Sequence, residues 1–227
     1  MKTPIARPYN HRPTGKAGTW FSIKNLTATE AEVFIYDEIG YYGVSAADFA
    51  AELQGVNAQS ILLRISSPGG DVFDGLAILN SLRQHKATVN VVIDGIAASA
   101  ASFIAMAGDT VKMSPQSMMM IHDAAGLAIG NARDMQEMAD LLEKTSDNIA
   151  AIYAQRAGGT PEEWRETMRA ETWYTDQEAV KAGLADEVVG SEAEADDHPQ
   201  NSIPDAPRAE TPAWGFDIAA LVKEAIA

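Results

Sequence analysis

The sequence predicts an α/β fold in which βαβ units build a mostly parallel sheet. From Trp20 onward, strand-like and helix-like segments alternate along the chain, the pattern that gives right-handed crossovers between parallel strands. Residues 60–65 (SILLRI) form a short apolar run suited to a strand buried inside such a sheet. Two glycine-bearing turns, Pro68-Gly69-Gly70 and Asp94-Gly95, follow apolar runs. They therefore fall at the carboxyl ends of strands, where open α/β sheets form their sites.

The elements follow in order. Residues 1–18 read as a flexible basic arm, with Pro4, Pro8, Pro13, Gly15 and Gly18. Residues 31–36 (AEVFIY) read as a strand, and residues 45–53 as a helix with Ser45 as its N-cap. After the strand at 60–65, SSPGG breaks the chain, and residues 72–85 form a helix with Phe73, Leu76, Leu79 and Leu82 on one side. Residues 88–93 (TVNVVI) give the next strand, Gly95 a turn, and residues 97–107 an alanine-rich helix. Strands follow at 110–113 and 118–122.

Residues 131–156 carry the longest helical pattern, with Met135, Met138, Leu142, Thr145, Ile149 and Ile152 at steps of three and four. That narrow seam suits packing on its own domain or on another subunit. Gly158-Gly159 ends the helix, and Thr160-Pro161 caps and starts the next. Thr175 and Glu178 form a capping box for a further helix, which Gly183 stops before a short strand reaching Val189. Residues 191–212 are acidic and proline-rich and read as a linker. Residues 213–227 end the chain with a small apolar face on Ile218, Leu221, Val222 and Ala225. The domain organisation is thus an arm at 1–18, a folded domain at 19–190 with its long-helix region at about 124–157, a linker at 191–212 and an amphipathic segment at 213–227.

Composition narrows the function. The chain of 227 residues has no cysteine, so disulfides, thiol catalysis and thiolate metal sites are excluded. Its formal charge of −15 argues against a nucleic-acid partner, which needs a basic footprint. No apolar run is long enough to span a bilayer, and the polar, basic N-terminus does not read as a secretory signal. A cytoplasmic location fits these features. Charge is unevenly spread: no acid precedes Glu30, whereas residues 191–227 hold eight acids and two bases.

The stretch DGIAASAASF, residues 94–103, holds two serines among small residues. A strand ending at Ile93 and a helix from about Ala97 put Ser99 in a first helical turn, near unpaired backbone N–H groups that favour developing negative charge. Ser102 is one turn deeper and is expected to be packed, or bonded to a carbonyl one turn back. A nucleophilic serine needs a base. Of the four histidines, His11 lies in the basic arm, His198 in the acidic tail and His85 in the last turn of a helix. His122 closes the apolar run SMMMIH at a strand end and is the candidate base.

In order and spacing, SPGG, GIAASAASFIAMAG, MMMIH and ETWYTDQEAVKAGLADEV resemble the proteolytic subunit of the Clp protease. The resemblance covers about residues 20–190. Its wording is most similar to the Clp-like head maturation proteases of tailed bacteriophages and prophages. It implies a spiral of βαβ units, as in the crotonases, with a protruding long-helix handle. It also implies a serine endopeptidase that needs no cofactor or metal. Carried over residue by residue, the nucleophile falls on Ser99, the base on His122 and the acid on Glu171, where the family usually has aspartate. Asp123 is the rival acid; in an extended segment it would face away from His122. The oxyanion donors fall on the backbone N–H groups of Gly70 and Ala100. Substrate contacts fall on the turn with Gly69, Asp71 and Val72, and on the loop after the histidine with Ala124, Ala125, Gly126 and Leu127.

The resemblance further implies homo-oligomeric rings or double rings that use the long helix, and a polypeptide substrate. The expected function is capsid maturation by cleavage of scaffold or capsid protein, in the host cytoplasm or the assembling prohead. The alternatives are a housekeeping subunit fed by an ATPase, an inactive ring-forming assembly component, and a crotonase-type acyl-CoA enzyme. Ser102 with a lysine base ranks last, since no lysine lies in a matching segment.

Overall fold

The computed structural model describes residues 21–25, 27, 29–40 and 45–190. The arm, the linker and the C-terminal segment expected from the sequence lie outside the described residues. The elements are β1 (Phe21–Asn25), β2 (Glu30–Ile35), α1 (Ala46–Gln54), β3 (Ser60–Ser67), α2 (Val72–Gln84), β4 (Thr88–Ala98) and α3 (Ala100–Ala105). They continue as β5 (Thr110–Met113), β6 (Met118–Ile121), α4 (Ala132–Ala157), α5 (Pro161–Arg169), β7 (Thr172–Thr175), α6 (Asp176–Lys181) and β8 (Glu187–Val188). The sheet runs β1-β2-β3-β4-β5-β8. Strands β2 to β5 and β8 are parallel, and β1 is added antiparallel at the edge. The mixed α/β architecture with a mostly parallel sheet is the one predicted.

Local chemistry starts the helices where the sequence placed them. Ser45, Asn131, Thr160 and Thr175 each cap with a side-chain oxygen and complete a capping box, satisfying N–H groups that a helix start leaves unpaired. Strands β3 and β4 alternate fully buried Ile61, Leu63, Ile65, Val91 and Ile93 with half-buried neighbours. One sheet face therefore supplies most of the core, and α2 covers it with Ile78, Leu79 and Leu82. Truncating one such aliphatic to alanine costs roughly 2–5 kcal/mol.

Three details differ from the sequence reading. First, Gly95 is no turn: β4 runs on through it to Ala98. The strand continues because it changes partner, pairing β5 over Asn90–Ile93 and β6 over Ile96–Ala98. Second, the helix after it is shorter than expected and starts at Ala100, so Ser99 stands at the strand–helix junction rather than within a helical turn. Third, Phe73 leaves the buried stripe of α2 and is 58% exposed, while Gly75 and Ile78 take its place. The antiparallel strands β1 and β7 also went unread; both are short and half polar.

The seam on α4 divides. From Thr145 onward Ile149, Ala150, Ile152 and Tyr153 pack into the domain, whereas Met135 and Leu141 nearer the start are exposed.

Candidate active site

Strand register builds the site. Strands β4 and β6 are parallel and pair Ala98 with Met120. The ladder continues one step, as the Ser99 N–H donates to the Met120 carbonyl at 3.0 Å. Adjacent strands lie about 4.8 Å apart, so the first residues beyond each strand are neighbours. His122 follows β6 directly, and its Nε2 is 2.7 Å from Ser99 Oγ. On the other side, β7 runs antiparallel to β6 and pairs Thr172 with Ile121. One step further along that register Glu171 faces His122. Ser99, His122 and Glu171 thus stand just beyond the ends of three adjacent strands, β4, β6 and β7.

Ser99 has φ 55° and ψ −123°, a region that side-chain-bearing residues avoid at a cost of about 1–3 kcal/mol. The turn from strand to helix is sharp, and it presents the hydroxyl at the sheet edge. Backbone packing permits this. A Cβ on Gly69 would come within 2.7 Å of Ser99 Cβ and 2.8 Å of the Ala100 nitrogen. A Cβ on Gly70 would strike the Ile39 carbonyl oxygen at 2.1 Å. The Gly-Gly turn must therefore lack side chains to lie between residue 39 and the serine. It is fixed by the Ile39 N–H to the Gly69 carbonyl at 2.8 Å, by the Gly69 N–H to Ser67 Oγ at 3.1 Å, and by Ser67 Oγ to the Asp37 carbonyl at 2.6 Å. Neither the Gly70 N–H nor the Ala100 N–H takes part in these backbone bonds.

His122 is half-buried, and that burial holds its imidazole below the ordinary histidine value. Glu171, and less so Asp123, pull it back up by their charge. The imidazole is therefore neutral at pH 7 and able to accept a proton from Ser99. The two carboxylates differ in their bonding. Asp123 Oδ1 accepts from Arg165 Nη1 at 2.6 Å. Arg165 is a nearly buried cation whose Nη2 donates to Glu143 at 2.5 Å and whose Nε lies 2.9 Å from Asp147 Oδ1 without an aligned hydrogen bond. Glu171 is exposed, has φ 51°, and makes no hydrogen bond to His122. The serine and histidine are thus brought together, and Glu171 acts on the imidazole through its charge without a hydrogen bond to it.

A cleft of about 700 Å³ opens beside Ser99 and His122. All seven expected substrate residues line it: Gly69, Asp71, Val72, Ala124, Ala125, Gly126 and Leu127. The Asp71 carboxylate is engaged in capping α2 through the N–H groups of Phe73 and Asp74. The sequence reading missed Phe73, Met138, Leu142 and Trp173 as walls of the cleft. The Met138–Leu142 spacing was visible, but on a helix it signals only an apolar face. Ser102 is fully buried and bonded to the Ser99 carbonyl, so it cannot meet a substrate. His85 bonds only backbone, accepting from the Ala87 N–H through Nδ1 and facing the Val56 carbonyl through Nε2. His11 and His198 lie outside the described residues.

A serine hydroxyl held on a neutral histidine at the carboxyl edge of a parallel sheet, beside an apolar cleft, defines the class as a serine-type hydrolase. Comparison with known proteins narrows it. The family model described as Clp protease matches residues 15–192. The chain is 29% identical to an ATP-dependent Clp protease proteolytic subunit of Deinococcus radiodurans over 195 residues, covering 83% of this chain and 95% of that protein. It is 32% identical to the corresponding subunit of Bacteroides fragilis over 181 residues, covering 73% of this chain and 87% of that one. With subunit 1 of Prochlorococcus marinus it shares 31% over 181 residues, covering 77% and 91%. The chain belongs to the Clp protease family and is a serine-type endopeptidase.

Proposed function

We propose that the chain hydrolyses peptide bonds through Ser99, His122 and Glu171. The Ser99 Oγ–His122 Nε2 contact of 2.7 Å carries this reading. Ser99 Oγ attacks the peptide carbonyl as His122 takes its proton. The N–H groups of Gly70 and Ala100 hold the oxyanion, and His122 returns the proton to the leaving amine. Water, deprotonated by His122, then releases the acyl group. Glu171 orients the imidazole and balances its transient positive charge. The substrate lies extended between the turn at Gly69–Val72 and the loop from Ala124 to Leu127. Backbone pairing there gives affinity with little sequence selectivity.

The biological role we favour is maturation of a viral head, with scaffold or capsid protein as substrate and rings of this chain as the working form. The support is the sequence resemblance, together with the basic N-terminal stretch and the acidic segment after residue 190, which lie largely outside the family match at residues 15–192. The exposed start of α4, with Met135 and Leu141, supports assembly between copies. A housekeeping role with an ATPase is the second reading, favoured by the names of the Deinococcus and Bacteroides relatives, both ATP-dependent Clp protease proteolytic subunits. Co-expression with a candidate capsid protein separates them. Shortening of that protein by the wild type, but not by a Ser99→Ala variant, is expected. An intact capsid protein, with degradation of unfolded substrates only when an ATPase is added, would favour the housekeeping role.

A further inference from the structure

The second serine of the AASAAS stretch has a role of its own. Ser102 is fully buried, and the side chain of Tyr153, which reaches it from α4, is equally buried. Their hydroxyl oxygens are 2.7 Å apart. Ser102 Oγ also lies 2.5 Å from the Ser99 carbonyl oxygen, which additionally accepts from the Ser102 N–H at 3.0 Å. A serine hydroxyl has one proton. A carbonyl oxygen can only accept, so that proton goes to Ser99, and Tyr153 must donate to Ser102. The phenol has a proton to give, since burial pushes its pKa up. The result is a directed chain, Tyr153 O–H to Ser102 Oγ and Ser102 O–H to the Ser99 carbonyl.

The carbonyl of Ser99 and the N–H of Ala100 belong to one planar trans peptide, so they point in opposite directions. Fixing one fixes the other. Two donors pull the Ser99 carbonyl inward toward α3, and the Ala100 N–H is thereby turned outward, to the side where Gly69 and the cleft lie. The backbone at Ser99 is strained, and a strained peptide holds its orientation only when its surroundings over-determine it.

We infer that Ser102 and Tyr153 are positioning residues that aim the Ala100 N–H at the reacting carbonyl oxygen, and that through Tyr153 the long helix α4 sets the geometry of the oxyanion hole. This rests on the proposed assignment of Ser99 as nucleophile and Ala100 as oxyanion donor. Neither hydroxyl touches substrate; both act through the Ser99–Ala100 peptide.

The test is steady-state hydrolysis of a fluorogenic peptide by the full chain carrying Ser102→Ala, Tyr153→Phe or both, with folding checked by circular dichroism. Losing an oxyanion donor outright costs roughly 10²–10³ in turnover, so a misaimed donor should cost about tenfold in kcat. That loss is expected for Ser102→Ala, with KM changed less than about twofold. Tyr153→Phe leaves the Ser102 bond to the Ser99 carbonyl in place and should cost about threefold. The double variant strands no hydroxyl, so it guards against a folding defect; it should match Ser102→Ala rather than multiply the two losses. A peptide boronate, which mimics the tetrahedral state, should weaken in parallel with kcat. The acid midpoint of the pH profile should stay put, because His122 is untouched. A purely structural pair would lower the melting temperature and leave the kcat of folded protein intact. Retention of kcat within twofold in both folded Ser102 variants therefore overturns the inference. Ser99→Ala is the control: hydrolysis surviving in it defeats the underlying site assignment, whereas its loss together with full kcat in the Ser102 variants defeats only the positioning role.

Discussion

The two carboxylates nearest His122 occupy opposite situations. Asp123 is next to it in sequence but is held by Arg165, which also gathers Glu143 and Asp147 from α4. Glu171 is far away in sequence but faces His122 across the β6–β7 register, exposed and without a hydrogen bond to it. The larger upward pull on the imidazole nonetheless comes from Glu171. An acid already engaged by a buried arginine serves to anchor the segment after β6. An unengaged acid opposite the base is the one available to orient it. Our assignment of Glu171 as the proposed acid therefore follows strand register and charge rather than proximity in sequence.

Substitutions sharpen this contrast, beginning with the largest effect. Glu171→Gln is expected to lower kcat by roughly 10²-fold, less than the roughly 10⁴ lost when a buried, hydrogen-bonded triad acid is replaced. Peptide hydrolysis with KM unchanged is the readout, and a loss below threefold would remove Glu171 from the mechanism. Arg165→Met should act on stability instead. It gives up charge-assisted bonds at a nearly buried site, but its acidic partners can still reach water, so the cost is about 2 kcal/mol. For a domain of this size that lowers the melting temperature by about 4–8 °C, and a shift under 1 °C would argue that the cluster is only a surface network. Asp123→Asn keeps a hydrogen-bond acceptor for Arg165 and should leave kcat within about threefold. If Asp123→Asn were the crippling variant and Glu171→Gln the mild one, the acid would move to Asp123.

The smallest effect concerns pH. Burial depresses the His122 pKa below its ordinary 6.5. The neutral form is the base, so activity should persist below pH 6.5 and fall as pH drops through the depressed value. Removing the Glu171 charge removes an upward pull, so the acid limb of Glu171→Gln should move lower still. A move to higher pH would mean that Glu171 does not act on His122 through its charge. The linked stability has the same sign. Below pH 6.5 the unfolded histidine takes up a proton before the folded one, so this contribution is complete above that pH and declines on acidification.

Much of this was legible in the sequence, and for identifiable reasons. Ser45, Thr160 and Thr175 announce their helices because capping is local chemistry. His122 stood out because each other histidine had an evident alternative. The conformation of Ser99 was not legible, because β4 runs past Gly95 only by exchanging β5 for β6, and that exchange is a long-range pairing. The apolar wall of the cleft was hidden for a similar reason. Phe73 and Met138 look like ordinary helix-face residues until tertiary packing turns them toward the gap. The Arg165 cluster draws on the segment after β6, on α4 and on α5 together, and no spacing in the chain signals it.

In the proposed mechanism Ser99, activated by His122, carries the chemistry. Covalent labelling with a fluorophosphonate, with the modified residue mapped by mass spectrometry, identifies the nucleophile. The expected result is a single adduct on Ser99, absent from Ser99→Ala and formed far more slowly in His122→Ala. An adduct on Ser102, or equal labelling of the Ser99→Ala variant, would contradict it.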